Sequence, residues 1–225
     1  MLQKKEDKTY ASILADGKIH ITVPEGTPEA SLRTYETSDG KSGSKWELVY
    51  TSIIGKITKV GFRDGEYGSQ LLVTLEDGKD KPVTLALATS SNFGEDMMKK
   101  LKNVDIERAV KIVPFTFTDD NGKTKKGVTI WQHNKKTGKN EKVKNYYYDE
   151  EKKKNINGYP EPKPKNGKTV KDFTKDQWKL YFGEVREFLV DEITEHFKIE
   201  PSNEMSASDE DFDAMVAEAG AAMED

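Results

Sequence analysis

Apolar residues recur at every second position over 71–75 and 83–87 and at every third or fourth position near the end of the chain. Leu71, Val73 and Leu75, and again Val83, Leu85 and Leu87, have the spacing that places a row of side chains on one side of a strand. Residues 46–54, 56–62, 70–75 and 82–87 therefore predict four β-runs, with turns at Asp64-Gly65 and Asp77-Gly78. The period then changes. Phe93, Met97, Met98 and Leu101 lie near one helical stripe, and Ser91 is placed to cap a helix over 91–101. Residues 106–118 and 128–133 predict strands around the hairpin loop Asp119-Asp120-Asn121-Gly122, and 143–148 a further strand pairing with them.

The flanks read differently. Residues 1–16 predict a polar arm, 18–23 a short strand, 24–44 a long loop rich in Gly, Ser, Thr and Pro, and 155–171 a proline-bearing linker. A long amphipathic helix is predicted over 174–197. Thr174 and Gln177 form its capping box, and Trp178, Phe182, Val185, Leu189, Ile193 and Phe197 form its stripe. Three strands, a helix and two strands is the order of the OB-fold, a small five-stranded barrel. The expectation is a mainly β protein: an OB-fold barrel with extended hairpin loops, a long C-terminal helix and a disordered acidic tail. The expected boundaries are 1–45 for the arm, short strand and loop, 46–199 for the domain, and 200–225 for the tail. The alternative is an open antiparallel sheet with two helices on one face.

Charge sharpens this picture. Residues 200–225 hold nine acids and no base, so with a whole-chain charge of -4 the preceding residues carry +5. A basic body joined to an acidic tail suits a protein that grips a polyanion and offers its tail to other proteins. The chain has no cysteine, which removes disulfides, thiolate metal sites and cysteine nucleophiles and fits a reducing cytoplasm. No apolar run approaches membrane-spanning length, so a soluble, intracellular protein without a membrane partner is expected.

The basic charge is concentrated where rings are. Between Gly122 and Asp176 there are sixteen lysines against seven acids, with Phe115, Phe117, Trp131 and the run Tyr146-Tyr147-Tyr148 within or beside them. A nucleic-acid single strand exposes phosphates and unstacked bases together, so lysines interleaved with flat rings match both. Val128 and Ile130 share one face of their strand, which puts Trp131 on the other. The expected stacking residues are Trp131, Phe117, Tyr147 and Tyr67, and the expected phosphate ligands are Arg63, Lys111, Lys125, Lys126, Lys142 and Lys144. The tail mixes acids with apolar anchors, and Asp209, Glu210, Asp211, Phe212, Asp213 and Met215 are its expected partner-binding residues. No metal or cofactor site is expected, and no enzyme: His20, His133 and His196 lie far apart, and no phosphate-binding G-x-x-x-x-G-K-[ST] loop exists.

The segment 61–75, Gly-Phe-Arg-Asp-Gly-Glu-Tyr-Gly-Ser-Gln-Leu-Leu-Val-Thr-Leu, resembles the first hairpin of replication single-stranded-DNA-binding proteins of tailed bacteriophages. The similarity extends over roughly 46–150, with the acidic tail as a second match. It implies an OB-fold, binding of single-stranded DNA, and a tail that recruits replication or recombination proteins. The implied setting is phage replication, recombination or repair in the host cytoplasm. The long helix from Thr174 is not part of a minimal OB barrel, and is expected to pack on the barrel or serve self-association as a homo-oligomer. The competing expectation is a protein-binding adaptor or DNA mimic that acts through its tail.

Overall fold

The computed structural model describes residues 9–36, 40, 42–65, 68–164 and 169–200. In chain order the strands are β1 (Thr9–Ile13), β2 (Ile19–Val23), β3 (Ser31–Glu36), β4 (Ser42–Tyr50), β5 (Ile53–Gly65), β6 (Gly68–Glu76), β7 (Val83–Ala88), β8 (Ala109–Thr118), β9 (Thr124–Asn134), β10 (Lys139–Lys142), β11 (Tyr148–Asp149) and β12 (Lys154–Asn155). Helix α1 (Asn92–Leu101) lies between β7 and β8, and α2 (Lys175–Phe197) follows a single 3-10 turn. Ten strands form one sheet in the order β10-β9-β8-β5-β6-β7-β1-β2-β4-β3, and β11 and β12 form a small ribbon. Every neighbouring pair in the large sheet is antiparallel except β1 and β7.

Period two carries through into burial. Leu71, Val73, Leu75, Leu85 and Leu87 all point into the core, and Val110, Ile112, Val128 and Ile130 continue that layer across β8 and β9. Strand β5 is long because a bulge at Thr58 re-phases it against β6, so that Ile57 and Val60 both face inward. Helix α1 begins where expected, with the Ser91 hydroxyl accepting the Gly94 N–H at 2.9 Å. Phe93, Met97, Met98 and Leu101 are fully buried along its inner stripe. Thr174 and Gln177 form the capping box of α2, which buries Val185, Leu189 and Ile193 in the same core.

The chain departs from the sequence expectation at its N-terminal side. Residues expected as arm and loop supply β1, β3 and the start of β4, and Ala11, Ile13 and Ile19 lie in the same core cluster as the β5–β9 residues. The expected break between 54 and 56 falls instead at Thr51-Ser52, which separates β4 from β5. The run 143–148 is mostly irregular: Val143 donates to the Ile130 carbonyl, after which the chain turns under α1, where the Tyr146 N–H reaches the Lys99 carbonyl at 2.8 Å. The segment expected as a linker is anchored too, because Tyr159 packs on Tyr147 and Phe188 and the Pro160 carbonyl accepts from the Tyr181 hydroxyl.

The expected closed barrel is not formed by the described residues. The strands that would form it lie side by side as β9-β8-β5-β6-β7, with no ladder between β7 and β9. Each of those two edges has another occupant. Strand β1 pairs with β7, and α1 covers β9 at Val128, whose N–H donates to Asp96 at 2.7 Å and whose carbonyl accepts from Lys100. The sheet nonetheless curls: a methyl group at Gly17, in the β1–β2 turn, would lie 2.9 Å from the Thr116 backbone nitrogen in β8. The architecture is mainly β with one long C-terminal helix. No helix among the described residues is long and apolar enough to cross a membrane.

Candidate functional site

The face of β8, β9 and β10 turned away from the core carries five of the ten stacking and phosphate residues expected from sequence: Lys111, Phe117, Lys125, Trp131 and Lys142. On β8, Val110, Ile112 and Pro114 are buried, so Lys111, Val113, Phe115 and Phe117 project outward. On β9, Val128 and Ile130 are buried, so Lys125, Thr129 and Trp131 project outward. The register aligns these into cross-strand rows. Lys111 stands opposite Trp131, which stands opposite Lys142 on β10; Phe115 faces Gly127, and Phe117 faces Lys125. Ile54 of β5, 59% exposed, extends the first row beyond Lys111.

Trp131 is half-buried, with the Lys142 ammonium 5.4 Å from its ring centre. Its strand is held rigidly from the core side. The buried Gln132 accepts from the Asp105 N–H at 3.0 Å and donates to the Asp105 carbonyl at 2.8 Å. Six residues further along β9, ~20 Å at the usual strand rise, stand Lys125 and its neighbour Phe117. Phe117 is 55% exposed and lies 5.9 Å from Phe115, ring centre to ring centre. Between this hairpin and α1 opens a groove of about 480 Å³, lined by Asn92, Glu95, Asp96, Lys99, Lys100, Phe115, Phe117, Lys125 and Lys126.

Both carboxylates of the groove are paired with lysines. Lys99 bonds to Glu95 and Lys100 to Asp96 at 2.7 Å, each one helical turn apart. Burial alone would lower the Lys99 ammonium, but the Glu95 carboxylate outweighs it and raises the group above its usual value. Gly127 leaves room that a side chain would fill: a methyl group there would lie 2.5 Å from Asp96 Oδ2 and 2.8 Å from Phe115 Cζ.

The expected residues thus divide. Lys111, Trp131 and Lys142 stand in one row, and Phe117 and Lys125 in another on the same face. Lys126 points from the opposite side of β9, yet its side chain lines the groove. Lys144 is exposed beyond β10, where its carbonyl accepts from Asn103. Arg63 is on β5 nine residues from Ile54, at the far end of the ladder from Phe117, and donates to Gln70 at 3.2 Å. Tyr147 needs correcting. It is 1% exposed, packed by Tyr146, Tyr159 and Phe188, with its hydroxyl donating to Glu192 at 3.2 Å. A ring enclosed on all sides offers no face to a base, and Tyr148, 39% exposed, is the wettest of the three tyrosines. Tyr67 and the tail residues Asp209, Glu210, Asp211, Phe212, Asp213 and Met215 lie outside the described residues.

Sequence reasoning missed the contribution of α1. Asn92, Glu95 and Lys100 carry no local motif, and only the packing of α1 against the β9 edge brings them beside Phe117. Phe115 stands in sequence as a neighbour of the basic run, and its alternation with Ile112 and Pro114 marks it as outward. Comparison of the chain with protein-family models, curated proteins and solved structures finds no match.

Proposed function

We propose that this protein binds single-stranded DNA, without catalysing its chemistry, along the outward face of β8, β9 and β10. The observation that carries the reading is the row Lys111–Trp131–Lys142: a half-open indole between two lysines on a rigid sheet. A base stacks on the indole, and the Lys142 ammonium that now lies against it moves to a phosphate. The strand runs from this row toward Phe117 and Lys125, where a second ring and a second cation await it. Stacking contributes roughly 1–3 kcal/mol per base and tolerates any sequence, because each base has a flat face.

The strand order supports an OB-like reading of the core. Numbered as strands one to five, β5–β9 follow the OB order, and in that scheme the hairpins β5–β6 and β8–β9 correspond to those whose loops engage oligonucleotides in OB barrels. Arg63 and Tyr67 belong to the first of these hairpins in sequence; Phe117, Lys125 and Lys126 belong to the second. Together with the phage-type hairpin sequence at 61–75, this favours a role in phage replication, recombination or repair. The acidic tail there recruits a partner protein.

The test is a titration of the full chain with oligo-dT, oligo-U and duplex DNA at two salt concentrations. Single strands should quench tryptophan fluorescence, and three or four phosphate contacts should give a log–log salt slope of about -2 to -3. Stronger binding to duplex overturns the single-strand reading; no salt-dependent binding at all overturns it too and leaves the adaptor reading, in which the tail is the active part.

A further inference from the structure

The groove between α1 and the β8–β9 hairpin has a composition that phosphate binding alone does not explain. Two carboxylates stand beside its exposed ring, in a wall that also holds four lysines and two phenylalanines. We infer that this groove is a nucleobase subsite that prefers bases bearing an exocyclic amine, namely adenine, cytosine and guanine, over thymine. The inference rests on the proposed single-strand path and adds a graded base preference at one point of it.

Geometry supplies the parts. Phe117 presents an open ring, and Phe115 backs it at 5.9 Å. At about 480 Å³ the groove has the size of a small-ligand site. Asp96 accepts through Oδ2, which receives the Val128 N–H and the Lys100 ammonium, and Oδ1 is left to accept from a ligand in the groove that Asp96 lines. Glu95 accepts through Oε1, from Lys99 and the Tyr159 hydroxyl, which leaves Oε2. The exposed Asn92 amide adds one further donor and acceptor at the rim.

Chemistry sets the direction. An ionised carboxylate only accepts. Cytosine N4, adenine N6 and guanine N2 are N–H donors and satisfy it, and a carboxylate accepting from cytosine N4 is an established base contact. Thymine presents two carbonyl oxygens around a single N–H, so at most one contact is attractive and its neighbours repel. The paired lysines matter as well: they cancel the carboxylate charge that would drive the flanking phosphates away.

The experiment compares oligo-dC and oligo-dT of equal length on the full chain, at mildly alkaline pH, by tryptophan fluorescence and by anisotropy of labelled strands. Wild type should bind oligo-dC about fivefold more tightly, the effect of one net hydrogen bond. Glu95→Gln and Asp96→Asn keep side-chain volume and add amide donors that suit thymine carbonyls. Each should pull the ratio toward one, chiefly through tighter oligo-dT binding. In the Asp96→Asn variant the amide oxygen can still accept the Val128 N–H, and an unchanged melting temperature shows that the β9 edge is intact. Equal binding of the two oligonucleotides by wild type, or a ratio that survives both variants, overturns the subsite and leaves the single-strand reading standing. Failure to bind either oligonucleotide removes the single-strand reading itself.

Discussion

Trp131 and Glu47 show how single residues divide between binding and holding the fold. Trp131→Ala removes the indole but leaves the buried Val128 and Ile130 behind it untouched, so the melting temperature should change little. Affinity for oligo-dT should fall by roughly 1–3 kcal/mol, a loss read by anisotropy; an unchanged affinity takes Trp131 out of the site. Glu47, only 1% exposed on β4, has the opposite profile. It accepts two hydrogen bonds from Arg33 on β3, both at 2.7 Å, and one contact from His20 on β2 at 2.8 Å, so one carboxylate ties three strands together. Burial would raise this carboxyl, but the hydrogen bonds from Arg33 and then His20 outweigh it and hold it at about 2. A depressed carboxylate stabilises the folded state above its ordinary value near 4.5, and the contribution is lost as pH falls through about 2. Glu47→Gln should therefore cost about 1.5–3 kcal/mol near neutrality, because a neutral amide weakens the charge-assisted hydrogen bonds from Arg33. The variant should also lose less stability than wild type between pH 4.5 and 2, a difference that denaturant melts across that window would detect.

At the scale of elements, legibility in the sequence followed the range of the contacts involved. Strands β6 and β7, the two helices and both their caps were readable because alternation, stripe and capping box are local signals. The hairpin of β8 and β9 was readable for the same reason, and with it the outward setting of Trp131. Strand β1 was not, since Thr-Tyr-Ala-Ser-Ile has little pattern of its own and is a strand only because β7, some seventy residues away, offers a free edge. Tyr147 failed for a related reason: the period of a strand was applied to a segment that α2 and Tyr159 hold in an irregular fold. The groove of α1 was also invisible, because it depends on a helix capping the β9 edge through Asp96 and Lys100. Gly127 keeps that groove open, and it can be tested as an element rather than as a contact. Gly127→Ala places a methyl 2.5 Å from Asp96 Oδ2 and 2.8 Å from Phe115, so either the helix or the ring must shift. The expected cost is ~1–3 kcal/mol in denaturant melts, as for other overpacked sites. Binding through Trp131 should persist in this variant, while any discrimination between oligo-dC and oligo-dT should shrink.

The whole molecule is polarised along its sequence, and that polarity makes a prediction that no single contact does. Cutting the chain after Pro201 removes eight acids and no base, which takes the formal charge from -4 to +4. On the proposed reading, the carboxylates that follow α2 in sequence and the phosphates of a strand compete for the same lysines, and the covalent link raises the effective concentration of those carboxylates. The truncated protein should accordingly bind oligo-dT more tightly than the full chain, and the gain should be largest at low salt. At 0.1 M salt and above, charges more than about 10 Å apart are largely screened, so the two titration curves should converge there. A neutralised tail, with Glu204, Asp209, Glu210, Asp211, Asp213, Glu218, Glu224 and Asp225 all replaced by Asn or Gln, separates charge from apolar docking through Phe212 and Met215. If neutralisation reproduces the truncation, competition is electrostatic; if only truncation tightens binding, the apolar residues hold the tail down. A truncated chain that binds DNA more weakly would mean that the tail supports the complex, and the competition model would fail.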